Sequence, residues 1–155
     1  MPKGSSEGLF REALNKIDFD PTFIYKPPDD ARNWKPTDYF LWYPVSLTMP
    51  VAGSAWFEVK ETPNLAGWNL ADVRPSQWRG ISIAGELRIP YFFAIRWKRD
   101  GMWSLVDAVR LADWLDTQTE RPKSVTRVAL ESRFGVSSTV GQLPSMIRAA
   151  LMEGL

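Results

Sequence analysis

The chain has 155 residues, enough for one compact domain around a single core, and 45% hydrophobic with 24% charged residues marks it as globular rather than disordered. Nineteen basic residues against 18 acidic leave a net charge of +1, which argues against a protein whose only task is to coat nucleic acid. With no cysteine and no histidine, thiolate nucleophiles, Ser-His-Asp triads and Cys/His zinc centres are excluded. Carboxylates, lysine and a hard cation such as magnesium are what remain for hard chemistry.

Residues 1–7 hold no apolar run suited to a secretory signal, and charges or prolines interrupt every hydrophobic stretch before it reaches membrane-spanning length. A soluble, cytoplasmic protein is expected. Ser5 and Ser6 are candidate caps for a first helix carrying Leu9, Phe10, Ala13, Leu14 and Ile17 on one side, closed by Pro21. Residues 22–26 form a short strand candidate, followed by a proline-rich charged loop over 27–36. Residues 38–43 and 54–60, rich in aromatic and β-branched side chains, are stronger strands, and the short linker between them suits antiparallel pairing.

The segment from Lys60 to Pro75 is expected to be irregular. Pro75 is placed as the first residue of a helix running to about Leu87. Residues 91–97 form a buried strand, Arg99, Asp100 and Gly101 a turn, and residues 103–106 a strand that pairs back. Asp107 then caps a helix through Trp114. The tail is expected to add two helices, the first capped by Ser124 and ended by Gly135, the second beginning near Pro144. Residues 133–140 faintly resemble the turn of a helix-turn-helix, but Glu131 and Pro144 oppose it and favour a packing or dimerisation element. The element order predicts a mixed α/β layer structure: a core domain over 1–118, and a helical extension over 119–155 packed on the core or at a dimer interface.

Side chains alternate across a strand, so Glu58 and Lys60 leave from one face while Phe57 and Val59 leave from the other. Asp38 opens the preceding strand, where antiparallel pairing brings it beside Glu58. Two carboxylates holding Mg²⁺, with Mn²⁺ as a substitute, acidify a bound water, and a lysine beside them steadies developing negative charge: a phosphodiester-cleaving set. The plainer alternative is the solvated face of an edge strand. Central strands seldom carry charges that are neither paired nor bound to metal, and these two strands have central composition.

Several runs resemble the PD-(D/E)xK nuclease superfamily, and within it the Holliday-junction-resolvase-like branch. They are Gly-Ser-Ser-Glu at 4–7, Pro-Thr-Asp at 36–38, Phe-Glu-Val-Lys-Glu-Thr at 57–62, Arg-Pro-Ser-Gln-Trp at 74–78, and the strand pair at 90–97 and 103–106. The likeness covers residues 4–116. It implies a restriction-endonuclease-like αβββαβ core with a mixed central sheet, followed by the C-terminal helical extension. It also implies metal ligation by Glu7, Asp38 and Glu58 with the Val59 carbonyl, Lys60 as the catalytic lysine, and Gln77 supporting the site or touching phosphate. Thr37 stands between Pro36 and Asp38, where the family has proline and aspartate adjacent. Glu7 is also favoured by the helix dipole alone, and Gln77 also reads as an ordinary buried amide. Asp29, Asp30 and Glu61 read as loop and edge charges, Asp30 being the replacement should Asp38 face away.

Candidate DNA contacts are Lys26, Arg32 and Lys35 around the proline-rich loop, Arg74 and Arg79 flanking Gln77, and Trp34 stacking on a base. The expected activity is Mg²⁺-dependent cleavage of DNA, with branched DNA such as Holliday junctions as substrate and a homodimer as the working unit. A restriction- or repair-type endonuclease on duplex DNA would carry the same catalytic residues; a catalytically silent DNA-binding module is the other alternative, and the intact acid-acid-lysine set argues against it.

Overall fold

The computed structural model describes residues 4–17, 23–27, 37–43 and 53–153. Helix α1 (Ser6–Asn15) starts where Ser5 Oγ accepts the Gly8 N–H, and turns Phe10, Ala13 and Leu14 inward. Its last turn closes with Lys16 and Ile17 bonding back to Ala13 and Leu14, before Pro21 is reached. Strands β1 (Phe23–Tyr25), β2 (Tyr39–Tyr43) and β3 (Gly53–Thr62) follow as an antiparallel set. Helix α2 (Pro75–Glu86) begins with proline in its first turn, as expected, and carries the chain over to β5 (Tyr91–Trp97). That crossover makes β5 parallel to β3, with Glu58 opposite Phe93. Strand β6 (Met102–Asp107) returns antiparallel through a turn in which Gly101 takes φ +71°, and Asp107 caps α3 (Ala108–Asp116) by accepting the Arg110 N–H.

The segment expected to be irregular contains a short strand, β4 (Gly67–Asn69), and a 3₁₀ turn over Leu70–Asp72. Trp68 explains it: fully buried, it packs edge-on against Phe93 at 5.0 Å and so pins three residues in extended form. Its partner strand is β7 (Ser124–Thr126), paired antiparallel. Ser124 is therefore not a helix cap; Thr126 is, accepting the Ala129 N–H at the start of α4 (Arg127–Phe134). Gly135 ends α4 as expected, but the residues after it are neither a recognition turn nor a loop. They form β8 (Gly135–Ser138), an edge strand antiparallel to β6, and α5 (Leu143–Glu153) follows.

The result is an α/β structure with a mixed central sheet in the order β1-β2-β3-β5-β6-β8, plus the small β4–β7 ribbon. Alternation along the strands divides the core in two. Phe57, Phe92, Trp103 and Leu105 meet α1 and α5 on one face, while Phe93, Ile95, Trp97 and Val106 meet α2, α3 and α4 on the other. The tail thus contributes a strand to the sheet as well as helices to its faces.

Gly135 is required by close approach, since a Cβ there would run into the Leu105 carbonyl oxygen. That atom belongs to the backbone of β6 and cannot yield without parting the strands. Gly135→Ala is expected to cost about 1–3 kcal/mol, read as a lower midpoint in urea unfolding. An unchanged midpoint would mean that β8 does not lie where described.

Candidate active site

Strands β2 and β3 pair regularly from Tyr43 with Gly53 to Tyr39 with Phe57. Beyond that rung, one backbone bond is joined by two from side chains. The Phe57 carbonyl accepts both the Asp38 N–H at 3.1 Å and the Thr37 hydroxyl, and the Val59 N–H donates to Asp38 Oδ2 at 2.9 Å. A strand residue turns its N–H and C=O to the same side, so the Val59 carbonyl faces this edge too, beside the Asp38 carboxylate.

Glu58 and Lys60 leave β3 on the face opposite to Phe57 and Val59, toward α2, and the register of Tyr39 with Phe57 sets Asp38 across from Glu58. Glu58 is 2% exposed and Asp38 7%, so neither is a solvated edge charge. Lys60 Nζ lies 3.2 Å from Glu58 Oε1 and donates to Gln77 Oε1 at 2.9 Å and to the Asp72 carbonyl at 3.0 Å. Those three acceptors fill the capacity of an ammonium. Gln77 closes the ring by donating from Nε2 to Glu58 Oε1, while its Oε1 also accepts the Arg74 N–H at 2.9 Å. The amide is thereby oriented unambiguously, oxygen toward two donors and nitrogen toward a carboxylate. Removing one member of such a buried pair typically costs about 3–5 kcal/mol, so Lys60 and Gln77 together hold the Glu58 side chain in place.

Two residues to which sequence reasoning gave no role belong to the same cluster. Thr37, the residue between Pro36 and Asp38, ties the start of β2 to β3. Tyr91 is fully buried on the Glu58 face of the sheet. Burial first, then the nearby Glu58 charge and more weakly Asp38, push its phenol well above the ordinary tyrosine range, against the opposing effect of a hydrogen bond with Thr37. Alternation with Phe93 on β5 could have placed Tyr91 on that face; the Asp72 carbonyl carried no sequence signal. Glu61, read as an edge charge, is exposed at the end of β3, accepts the Ser6 hydroxyl at 2.5 Å and pairs with Lys98 at 3.5 Å. The Ser6 bond, with help from Lys98, holds its carboxyl below the usual range against the opposing effect of desolvation. It clamps the start of α1 to the end of β3.

Asp38, Glu58, Val59, Lys60 and Gln77 are thus brought together. Glu7 is paired with Lys26 at 2.9 Å, both partly buried. Among the described residues no three acidic side chains form a metal-binding group. Arg74 and Arg79 are exposed on the first turns of α2. Arg32, Trp34 and Lys35, like Asp29 and Asp30, lie outside the described residues. The donors available beside Asp38 are carboxylate and carbonyl oxygens, the chemistry that suits Mg²⁺ or Mn²⁺ rather than zinc or copper.

The strand order, the parallel seam between β3 and β5 and the flanking helices make a resolvase-like α/β fold. The chain is similar in structure to Hjc of the archaeal hyperthermophile Archaeoglobus fulgidus, a Holliday junction resolvase, with a TM-score of 0.52 and 12% identity over 88% of this chain and 97% of that one. At that identity the likeness concerns the fold. No protein-family model and no curated protein matches the chain. Among the described residues no helix is long and apolar enough to cross a membrane.

Proposed function

We propose that the chain is a metal-dependent endonuclease that hydrolyses DNA phosphodiester bonds, with branched DNA such as a Holliday junction as its substrate. The observation that carries this reading is the buried Glu58–Lys60–Gln77 ring beside Asp38, on a resolvase-like fold. A buried acid and lysine fixed by a shared amide are expensive to keep unless the charge is used.

Asp38 and Glu58, with the Val59 carbonyl, would hold Mg²⁺. When bound, such an ion supplies Lewis acidity and brings the pKa of water toward neutrality. The chain's own residues do the rest. Lys60 sets a full positive charge beside the carboxylates, where an added phosphate brings negative charge, and one of its three acceptors gives way to a phosphoryl oxygen. Gln77 is a positioning residue, since it holds Glu58 and Lys60 in register and keeps both from swinging into solvent. Tyr91 stays protonated and screens the inner side of Glu58. Glu7 joins the ligand set if its ion pair with Lys26 opens, a step that DNA phosphate near Lys26 would favour. A two-fold dimer suits a junction, which presents two strands for symmetric cutting.

The test is direct. The purified protein is incubated with a four-way junction, a linear duplex and a single strand, each with Mg²⁺, Mn²⁺ or chelator. Metal-dependent cutting of the junction alone is expected. Equal cutting of all three substrates would make it a general nuclease, and no cutting with either metal would leave a DNA-binding module.

A further inference from the structure

The exit of β3, the β5–β6 turn and the β4–β7 ribbon together enclose an open groove of about 550 Å³. Asn64, Asn69, Arg99, Lys123 and Ser124 supply its polar lining, and no acidic residue takes part. In a chain with a net charge of only +1, two cations and no carboxylate in one concavity is a local excess. They come from separate parts of the sequence: Arg99 from the turn after β5, Lys123 from the residue before β7. Both are exposed, and among the described residues neither side chain has a hydrogen-bonding or ion-pair partner. Asp100, next to Arg99 in sequence, is already held by Arg127 at 2.7 Å.

The groove is built rather than incidental. Trp68 and Val125, buried, point inward from the ribbon, so Asn69 and Ser124, their neighbours in paired register, point outward into the groove. Asn69 Oδ1 is spent on the Ala71 N–H, which leaves its Nδ2 donors to face outward. Leu70 N–H to the Lys123 carbonyl at 3.0 Å and Arg127 N–H to the Ala66 carbonyl at 2.8 Å lock the ribbon at both ends. Donors and cations without acids are the complement of a phosphodiester backbone.

Its position fits as well. The ribbon packs on the same face of the sheet that carries Glu58 and Lys60. Pro63, at the near wall, directly follows β3 and lies three residues beyond Lys60, about 10 Å at the rise of a strand. A DNA strand covers that distance in about three nucleotides of helix axis.

We propose that this groove holds the backbone of a DNA strand about three nucleotides from the position at Lys60, with Arg99 and Lys123 as its phosphate contacts. The assignment rests on the nuclease reading for its register, but its test reads binding alone. Equilibrium binding of a four-way junction is measured in Ca²⁺ across a range of salt for the native protein, for Arg99→Ala/Lys123→Ala, and for Lys16→Ala on the opposite face as a control. The double variant should bind about tenfold more weakly, and the slope of log affinity against log salt should shrink by about 1.8, or 0.9 for each phosphate no longer neutralised. Lys16→Ala should leave the slope unchanged. An unchanged slope, or an equal change in the control, overturns the groove while leaving the nuclease reading intact. Native protein that binds but never cuts overturns the nuclease reading, and the slopes still judge the groove. Native protein that does not bind the junction overturns both.

Discussion

Lys60→Ala is expected to slow single-turnover cleavage of a four-way junction by about 10²–10³-fold or more, while junction affinity measured in Ca²⁺ stays within about threefold of native. The asymmetry follows from where the ammonium sits. It lies on the buried side of the site, 3.2 Å from Glu58 and held by Gln77 and the Asp72 carbonyl, so under the proposed mechanism it would meet only the phosphate being cut. Affinity for a junction is spread over many backbone phosphates and hardly registers one of them. Because the substitution also leaves Glu58 with less compensation, thermal unfolding accompanies the kinetics. A folded variant that cuts within tenfold of native would remove Lys60 from the chemistry, and a parallel loss of binding would make it a phosphate anchor.

Phe10→Ala should lower stability by about 3–5 kcal/mol, and the unfolding midpoint by about 6–20 °C in a chain of this length. Phe10 is fully buried, with ring centroids 6.0 Å from Tyr39, 5.5 Å from Phe57 and 6.0 Å from Trp103. It is where α1 joins three strands at once, and a cavity ringed by such stiff side chains collapses poorly. Tyr39 and Phe57 each adjoin a candidate ligand, Asp38 and Glu58, so the loss also loosens the strands that aim them. A midpoint shift under about 3 °C, corresponding to about 1 kcal/mol, would show that α1 is not seated there.

Much of this was legible because the local signals agree with the global fold. Ser5 and Asp107 announced their helices as caps, Pro75 as a first-turn residue, and the aromatic runs at β2, β3 and β5 were long enough to identify. Glu58, Lys60 and Asp38 could be grouped because alternation and antiparallel pairing are short-range rules. Strands β4, β7 and β8 were missed for a physical reason: each spans only three or four residues and owes its extended form to a distant partner. Trp68 needs Phe93, and Gly135 needs the Leu105 backbone. The bond of Glu61 to Ser6 was invisible for the same reason, since that partner is 55 residues away. The pairing of Glu7 with Lys26 likewise depends on how α1 lies across the sheet, which no local pattern states.

The parallel contact between β3 and β5 has a consequence for how the molecule comes into being. On one side of it lie the antiparallel strands β1 to β3, on the other the hairpin of β5 and β6, and each group pairs within itself over short stretches of chain. Joining them requires closing the whole crossover between Thr62 and Tyr91, an entropic cost that slows non-local pairing. Asp38, Glu58 and Lys60 lie on one bank of that crossover, Tyr91 on the other, and Gln77 within it. During refolding, far-UV ellipticity should therefore recover ahead of cleavage, which returns only when the two halves meet.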